Sequence, residues 1–111
     1  MELSRPEQYQ FTLIGSAEEA EVARTAVTLP ASQSAIEDLD RAKANENLQR
    51  TLPPVSEPWM VNLSAIELIA LHRATRRLQY KPEHSEDMRR GAAVFTKDIV
   101  TKAEGLKYYL A

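Results

Sequence analysis

The clearest pattern in this sequence is an apolar position that recurs every three or four residues through its last quarter. These positions are Met88, Ala92, Phe95, Ile99, Ala103, Leu106 and Leu110. Such spacing places side chains on one face of a helix. The pattern therefore predicts a helix that begins after Ser85 and runs to Tyr109, unless Gly105 ends it earlier and residues 106–111 fold back as an apolar tail.

A second helix, predicted within residues 61–80, is the one around which the others are expected to pack. Ser64 and Glu67 have the S-x-x-E spacing of a capping box, which places the helix start at about Ser64. Apolar residues then surround most of its circumference, as in a helix buried on several sides. A short turn at residues 80–84 predicts that this helix and the last one form an antiparallel hairpin.

One β-strand is predicted near the beginning of the chain. In residues 9–14, Tyr9, Phe11 and Leu13 alternate with polar residues, as expected of a short, half-buried strand. A lone strand is not stable and must pair with another. We expect the partner to be either residues 26–29 of this chain or a strand from a neighbouring molecule.

Two further capping boxes predict shorter helices. Ser16 and Glu19 predict a helix over residues 17–27, and Ser34 with Glu37 predicts another that ends near Gln49. Apart from a few apolar positions, the second of these helices is polar, so we expect its tertiary contacts to be weak.

Taken together, the elements predict a mainly α fold. It would be a small helical domain built on the C-terminal antiparallel helical hairpin, with one short N-terminal β-strand or β-hairpin, and an α+β fold is the alternative. Residues 1–111 are interpreted as a single domain. It consists of an acidic strand-plus-helices part (1–50), a strap (51–60) whose prolines favour extended backbone, and a basic helical hairpin (61–111).

Composition narrows the class of protein. With 43% hydrophobic and 27% charged residues, the chain resembles ordinary globular proteins. The absence of cysteine excludes disulfides, thiolate nucleophiles and cysteine-ligated zinc. No apolar run is long enough to span a bilayer, and the first ten residues do not resemble a signal peptide. We therefore expect a cytoplasmic protein, or part of a particle assembled in the cytoplasm, with no membrane partner.

Motifs that would indicate an enzyme are missing from the sequence. Glycine-rich phosphate-binding motifs and the nucleophile elbow of hydrolases do not occur. His72 and His84 lie far apart, without carboxylates at the spacing of metal ligands. We expect no catalytic residues, no metal, no cofactor and no small-molecule substrate, and hence no enzymatic activity.

Charge is distributed unevenly along the chain. Residues 1–60 carry ten acids and five bases, whereas residues 61–111 carry six acids and nine bases. Six bases are expected to converge at one end of the predicted hairpin, where they form a candidate anion- or phosphate-binding cluster. They are Arg73, Arg76, Arg77, Lys81, Arg89 and Arg90. The alternative is a solvated or internally paired cluster. Aromatic residues that could stack on bases are not interleaved with it.

Apolar side chains supply candidate contacts with a partner. Phe95, Ile99 and Leu106 are expected on a side of the last helix that the rest of the chain cannot cover. Tyr9 and Phe11 belong to the predicted edge strand. Trp59 is expected in the core, with an exposed anchor for a partner as the alternative.

Two functions follow as hypotheses. The first is a non-enzymatic structural, assembly or protein-interaction component that contacts copies of itself or a larger assembly, for example as an accessory protein of a viral (phage) particle. The alternative is a small regulator or anti-defence-type inhibitor. It would bind nucleic acid through the basic cluster, or a basic protein surface through the acidic half of the chain.

Overall fold

Three strands and four helices make up the described part of the chain. The computed structural model describes residues 1–7, 9–28, 39–103, 105 and 106, without the side chains of residues 39–42 and 45. In chain order the elements are β1 (Glu2–Glu7), β2 (Gln10–Gly15), α1 (Ala17–Val27), α2 (Leu39–Thr51), β3 (Trp59–Ser64), α3 (Ala65–Leu78) and α4 (Glu86–Lys102).

The strands form an antiparallel sheet in the order β1-β2-β3, with β2 in the centre. Phe11 pairs with Leu63 and Leu13 pairs with Val61, and all four side chains are buried against the helices. Alternate residues point to the opposite face, where Met60 is 60% exposed. Within the described part of the chain, the sheet therefore has helices on one face only.

The prediction of a mainly α protein was wrong, because the sheet makes this an α+β domain. The predicted strand exists as β2, but its partners are β1 and β3. Residues 26 and 27, considered as a possible strand partner, belong to α1 instead. The apolar side chains of β3 do alternate along the strand. The capping box at its end, however, predicts only the helix that follows, and β3 was not predicted.

The central position of α3 was predicted correctly, since α3 contacts the three other described helices and the sheet. The Ser64 hydroxyl accepts a hydrogen bond from the Glu67 N–H at 3.2 Å, and the Glu67 carboxylate accepts one from the Ser64 N–H at 3.0 Å. The same reciprocal box at Ser16 and Glu19 starts α1. Both predicted helix starts are confirmed.

The segment before β3 folds back on the helices. The indole N–H of Trp59 donates to the Pro53 carbonyl oxygen at 3.1 Å. Arg24 of α1 donates to the carbonyl oxygens of Leu52 and Pro53. These hydrogen bonds hold the segment close to the helices. Trp59 is buried, as the interpretation of this residue as part of the core predicted. The predicted capping box at Ser34 and Glu37 lies outside the described residues.

The last helix is shorter than its apolar pattern allowed. α4 begins after Ser85, whose hydroxyl accepts from the Met88 N–H, and it ends at Lys102. Gly105 adopts a positive φ of 81°, a conformation typical of glycine just beyond a helix. The helix therefore ends before Gly105, as that alternative expected, whereas most of the expected apolar tail, residues 107–111, lies outside the described residues.

Candidate functional site

The side chains predicted to contact a partner are mostly buried within the chain. Phe11, Trp59, Phe95, Ile99 and Leu106 are each at most 8% exposed. Contacts of α4 with α1, α3 and β1 cover the stripe that was expected to remain open. This corrects the expectation of an uncovered face on the last helix.

Tyr9 is the exception among these candidates, since its side chain is 66% exposed. It lies in the turn between β1 and β2, and its carbonyl oxygen accepts a hydrogen bond from the Ala65 N–H at 2.8 Å. The backbone of Tyr9 therefore belongs to the ladder between β2 and β3, while its side chain is at the surface.

The six predicted bases do not form one free surface. Arg90 turns to the acids of its own helix, with one guanidinium nitrogen 3.0 Å from Glu86 and another 3.9 Å from Asp87. Arg76 is exposed, and the other four bases are half-buried: Arg73, Arg77, Lys81 and Arg89. Arg73, Arg76 and Arg77 also interact within the protein. Only part of the cluster is thus presented to solvent.

Two buried nitrogen atoms lie close to this cluster in sequence. Within the described part of the chain, neither Nδ1 of His72 nor Nε of Arg89 has a hydrogen-bond partner. Burial lowers the pKa of His72, and the nearby positive charges of Arg76 and Arg73 lower it further. His72 is therefore disposed to remain neutral in the folded protein.

A groove lies between α1 and α4 among the described residues. Gly91 permits a close approach of the two helices, because a Cβ atom at this position would lie only 3.0 Å from Cγ2 of Val22. On α4, Asp87, Gly91, Val94 and Asp98 follow one another at spacings of four, three and four, which places them on one helix face.

This surface, hereafter the α1–α4 groove, consists of two depressions of about 420 and about 500 Å³. Both are lined by Glu18, Val22, Asp87 and Gly91. Val94 adds an apolar side chain that is 56% exposed. The groove therefore combines an apolar floor with carboxylates along its sides.

The charge of the groove is predominantly negative. Its lining carboxylates are Glu18, Glu19, Glu21, Asp87 and Asp98. Among the described lining side chains, the only base is Arg90, which is already paired with acids. The amino group of Met1 lies 3.5 Å from Glu19 and offsets part of that charge.

Helix ends explain some of these carboxylates but not all of them. Glu18, Glu19 and Asp87 lie in first turns, where negative charge offsets the helix dipole. Glu21 and Asp98 lie beyond those turns, so the dipole does not account for them. Their position on the rim makes the groove suited to a positively charged partner.

This groove was not predicted from the sequence. Glu19 was interpreted as part of a capping box, and Arg90 was assigned to the basic cluster. The regular spacing of Asp87, Gly91, Val94 and Asp98 was a usable signal, but α1 approaches this strip only through the tertiary fold.

Three further observations concern other parts of the described structure. A third depression, between α2 and α3, includes Glu67, which is occupied with the capping box. No group of three or more His, Asp or Glu side chains in the described ranges could hold a metal ion. None of the helices described is both long enough and apolar enough to cross a membrane.

Comparison with known proteins supplies no relative. The chain matches no protein-family model, no curated protein and no solved structure.

Proposed function

We propose that this protein is a non-enzymatic protein-interaction component whose α1–α4 groove holds a basic segment of a partner protein. The observation that carries the proposal is the acidic rim around an apolar floor, especially Glu21 and Asp98, which no helix end accounts for. From the sequence we retain the proposal that the protein works within a larger assembly, of which a viral particle is one example.

The shape of the groove favours a peptide segment over a single cation. A cation needs several carboxylates that converge on one point, whereas these acids are spread along two helices. Val22, Gly91 and Val94 provide an apolar strip between them. An amphipathic helix would match this arrangement, with apolar residues on the floor and Lys or Arg side chains facing the rim.

The expected affinity is moderate. Exposed ion pairs contribute ~0.2–1 kcal/mol each, so the rim mainly sets specificity and the rate of association. The floor supplies little additional area, because Val22 and Phe95 are already buried within the chain. We therefore expect a dissociation constant of about 1–100 µM that rises with salt concentration.

A designed peptide provides a direct test. The probe is a fluorescein-labelled helix of ~18 residues of Leu and Lys, matched to the ~25 Å length of α4. Two further peptides serve for comparison, one with Glu in place of Lys and one with Ser in place of Leu. We expect fluorescence anisotropy to detect binding of the Leu/Lys peptide, no binding of the Leu/Glu peptide and weaker binding of the Ser/Lys peptide.

Variants then locate the binding surface. The double variant Glu21→Lys/Asp98→Lys should weaken binding of the Leu/Lys peptide by about tenfold or more, because two attractive charges become repulsive. The matched control is Glu7→Lys/Glu46→Lys, which makes the same charge change at exposed positions outside the groove. Equal weakening in both variants, measured on proteins with unchanged melting temperatures, would mean that only net charge matters and would refute the proposal.

A further inference from the structure

The free edge of β3 is a second candidate surface for binding a partner. In an antiparallel ladder, successive residues of a strand direct their backbone groups alternately to its two sides. The hydrogen bond from the Ala65 N–H to the Tyr9 carbonyl oxygen continues the β2–β3 register and identifies the residues that face β2. Trp59, Val61 and Leu63 share that orientation, so Met60 and Asn62 direct their N–H and C=O groups away from the sheet.

The open part of this edge is limited on both sides. Pro58 has no N–H, and its carbonyl oxygen accepts a hydrogen bond from the Ser56 hydroxyl at 3.1 Å. The Ser64 N–H is bonded to the Glu67 carboxylate. Between these ends, the backbone groups of Met60 and Asn62 that point outward have no partner among the described residues. These N–H and C=O groups form a short stretch of backbone that is available for hydrogen bonding with another strand.

The opposite edge of the sheet is protected. The register of β1 shifts between Ser4 and Glu7, as in a β-bulge, and such irregularities discourage pairing with another strand. Lys102 donates a hydrogen bond to the Met1 carbonyl oxygen along this edge. Gly105 lies against the Arg5 side chain. In the described structure, no register shift, side-chain hydrogen bond or packed segment protects the outer side of Met60 and Asn62 in this way.

We propose that β3 pairs with β3 of a second copy of this chain, antiparallel about a twofold axis at Val61, so that the two sheets become one. In this register Met60 of each copy faces Asn62 of the other, and the outward N–H and C=O groups of both residues are satisfied. Pro58 faces Ser64, and neither requires a further bond. A longer foreign strand would instead place its own amide groups opposite Pro58 and the capped Ser64, where they would find no partner.

Side chains are compatible with this register. Met60 is 60% exposed and lies beside Ile14 on the open face of the sheet. Across the twofold axis, the two Met60 side chains are diagonal neighbours at about 7–8 Å, within reach of long side chains. Val61 lies directly opposite its own copy on the face that packs against the helices, so the apolar layer continues from one copy to the next.

The solution mass provides the first test. Analytical ultracentrifugation between ~1 µM and ~1 mM should show the mass rise from monomer to dimer as the concentration increases. Met60→Lys should abolish the dimer, because charged residues on an edge strand oppose pairing. Tyr80→Lys is the matched control, since Tyr80 is also a large side chain, 73% exposed, but lies far from the edge in sequence, and it should leave the dimer intact. A monomer at every concentration, or a dimer unaffected by Met60→Lys, would overturn the proposal.

Engineered cysteines test the register itself, because the sequence contains no cysteine of its own. Facing residues of a bonded pair lie ~5.5 Å apart at Cα, within the range that a disulfide can bridge. Met60→Cys/Asn62→Cys should therefore form a disulfide-linked dimer under mild oxidation, whereas Asn62→Cys alone should not. No covalent dimer from the double variant, or as much covalent dimer from Asn62→Cys alone as from the double variant, would contradict this register. Neither test involves peptide binding, so the dimer and the groove can fail separately.

Discussion

At the scale of single residues, two threonines join α3 to α4 inside the core. The Thr75 hydroxyl donates to the His72 carbonyl oxygen at 3.0 Å and accepts from the Thr96 hydroxyl at 2.8 Å. Thr96 also lies 2.8 Å from the Ala92 carbonyl oxygen. Each hydroxyl therefore still has a hydrogen-bond partner within its own helix if the bond between the two threonines is lost.

This arrangement predicts non-additive effects of substitution. Thr75→Val and Thr96→Val should each cost about 0.5–1.5 kcal/mol, because a single replacement removes one net hydrogen bond. The double variant should lose less unfolding free energy than the two single variants lose together. In each single variant a remaining threonine hydroxyl faces a valine methyl group, whereas in the double variant neither hydroxyl remains. Urea denaturation of the four proteins gives the coupling energy, and strict additivity would show that the two hydroxyls do not act as a pair.

The lowered pKa of His72 predicts that the stability of the folded protein depends on pH. Burial together with Arg76 and Arg73 lowers its pKa in the folded state below the ordinary value of 6.5. The unfolded chain therefore binds a proton more readily than the folded one. The stability associated with neutral His72 is complete above pH 6.5 and is lost as the pH falls below 6.5 toward the lowered pKa.

The measurement is the urea midpoint at pH 7.5 and at pH 5. We expect the midpoint to fall on acidification in the natural sequence, and to fall less in His72→Gln. The variant His84→Gln serves as the control, because His84 is the other histidine of the chain. If His72→Gln and the natural sequence lost equal stability between these pH values, another group would be responsible.

At the scale of secondary-structure elements, the junction of β3 with α3 links the sheet to the central helix. Ser64 is the last residue of β3 and the N-cap of α3. Ser64→Ala should cost about 1–2 kcal/mol, because the reciprocal box is lost at a partly buried site. Ser85→Ala removes an exposed cap at the start of α4 and should cost only about 0.5 kcal/mol. Thermal or urea denaturation compares the two, and the reverse order would assign the central role to α4.

The helices were predictable because their signals are local. Ser16, Ser64 and Ser85 each start a helix where the sequence indicates one. β1 carries no comparable signal, since Leu3 is its only large apolar residue and Pro6 lies within it. It pairs with β2 all the same, and the partner strand therefore supplies what its own residue pattern does not indicate.

The site was less predictable for a related reason. Phe95 and Ile99 were expected at the surface because no partner for them is evident in the sequence, yet α1 and the sheet bury them. The α1–α4 groove arises where Val22 meets Gly91, two residues far apart in the chain. Periodicity identifies the face of a helix but not the element that packs beside it.

At the scale of the whole molecule, the fold redistributes charge in a way that the sequence halves do not reveal. Asp87 and Asp98 come from the half of the chain with an excess of bases, yet they line the groove together with Glu18 and Glu21 of the acidic half. Arg90 is paired with acids beside the groove and no longer adds to the basic cluster. Carboxylates from both halves of the chain thus line one concave surface.

This groove and the free edge of β3 are formed by different elements. The groove is formed by α1 and α4, whereas the edge belongs to the strand that precedes α3. A dimer formed through β3 would present two grooves, and a partner with two basic segments would then bind more tightly than one with a single segment. This arrangement is appropriate for an assembly component.

The most direct test of the proposed function is a titration of the ¹⁵N-labelled protein with the Leu/Lys peptide, followed by NMR chemical shifts of the backbone amides. Binding in the groove predicts saturable shifts along both helices, at Glu18, Glu21, Gly91, Val94 and Asp98, and in Glu21→Lys/Asp98→Lys these shifts should require about tenfold or more peptide to reach the same size. Shifts confined to the α3–α4 turn or to β3, or none at concentrations that saturate the anisotropy signal, would contradict the assignment of the groove as the binding site.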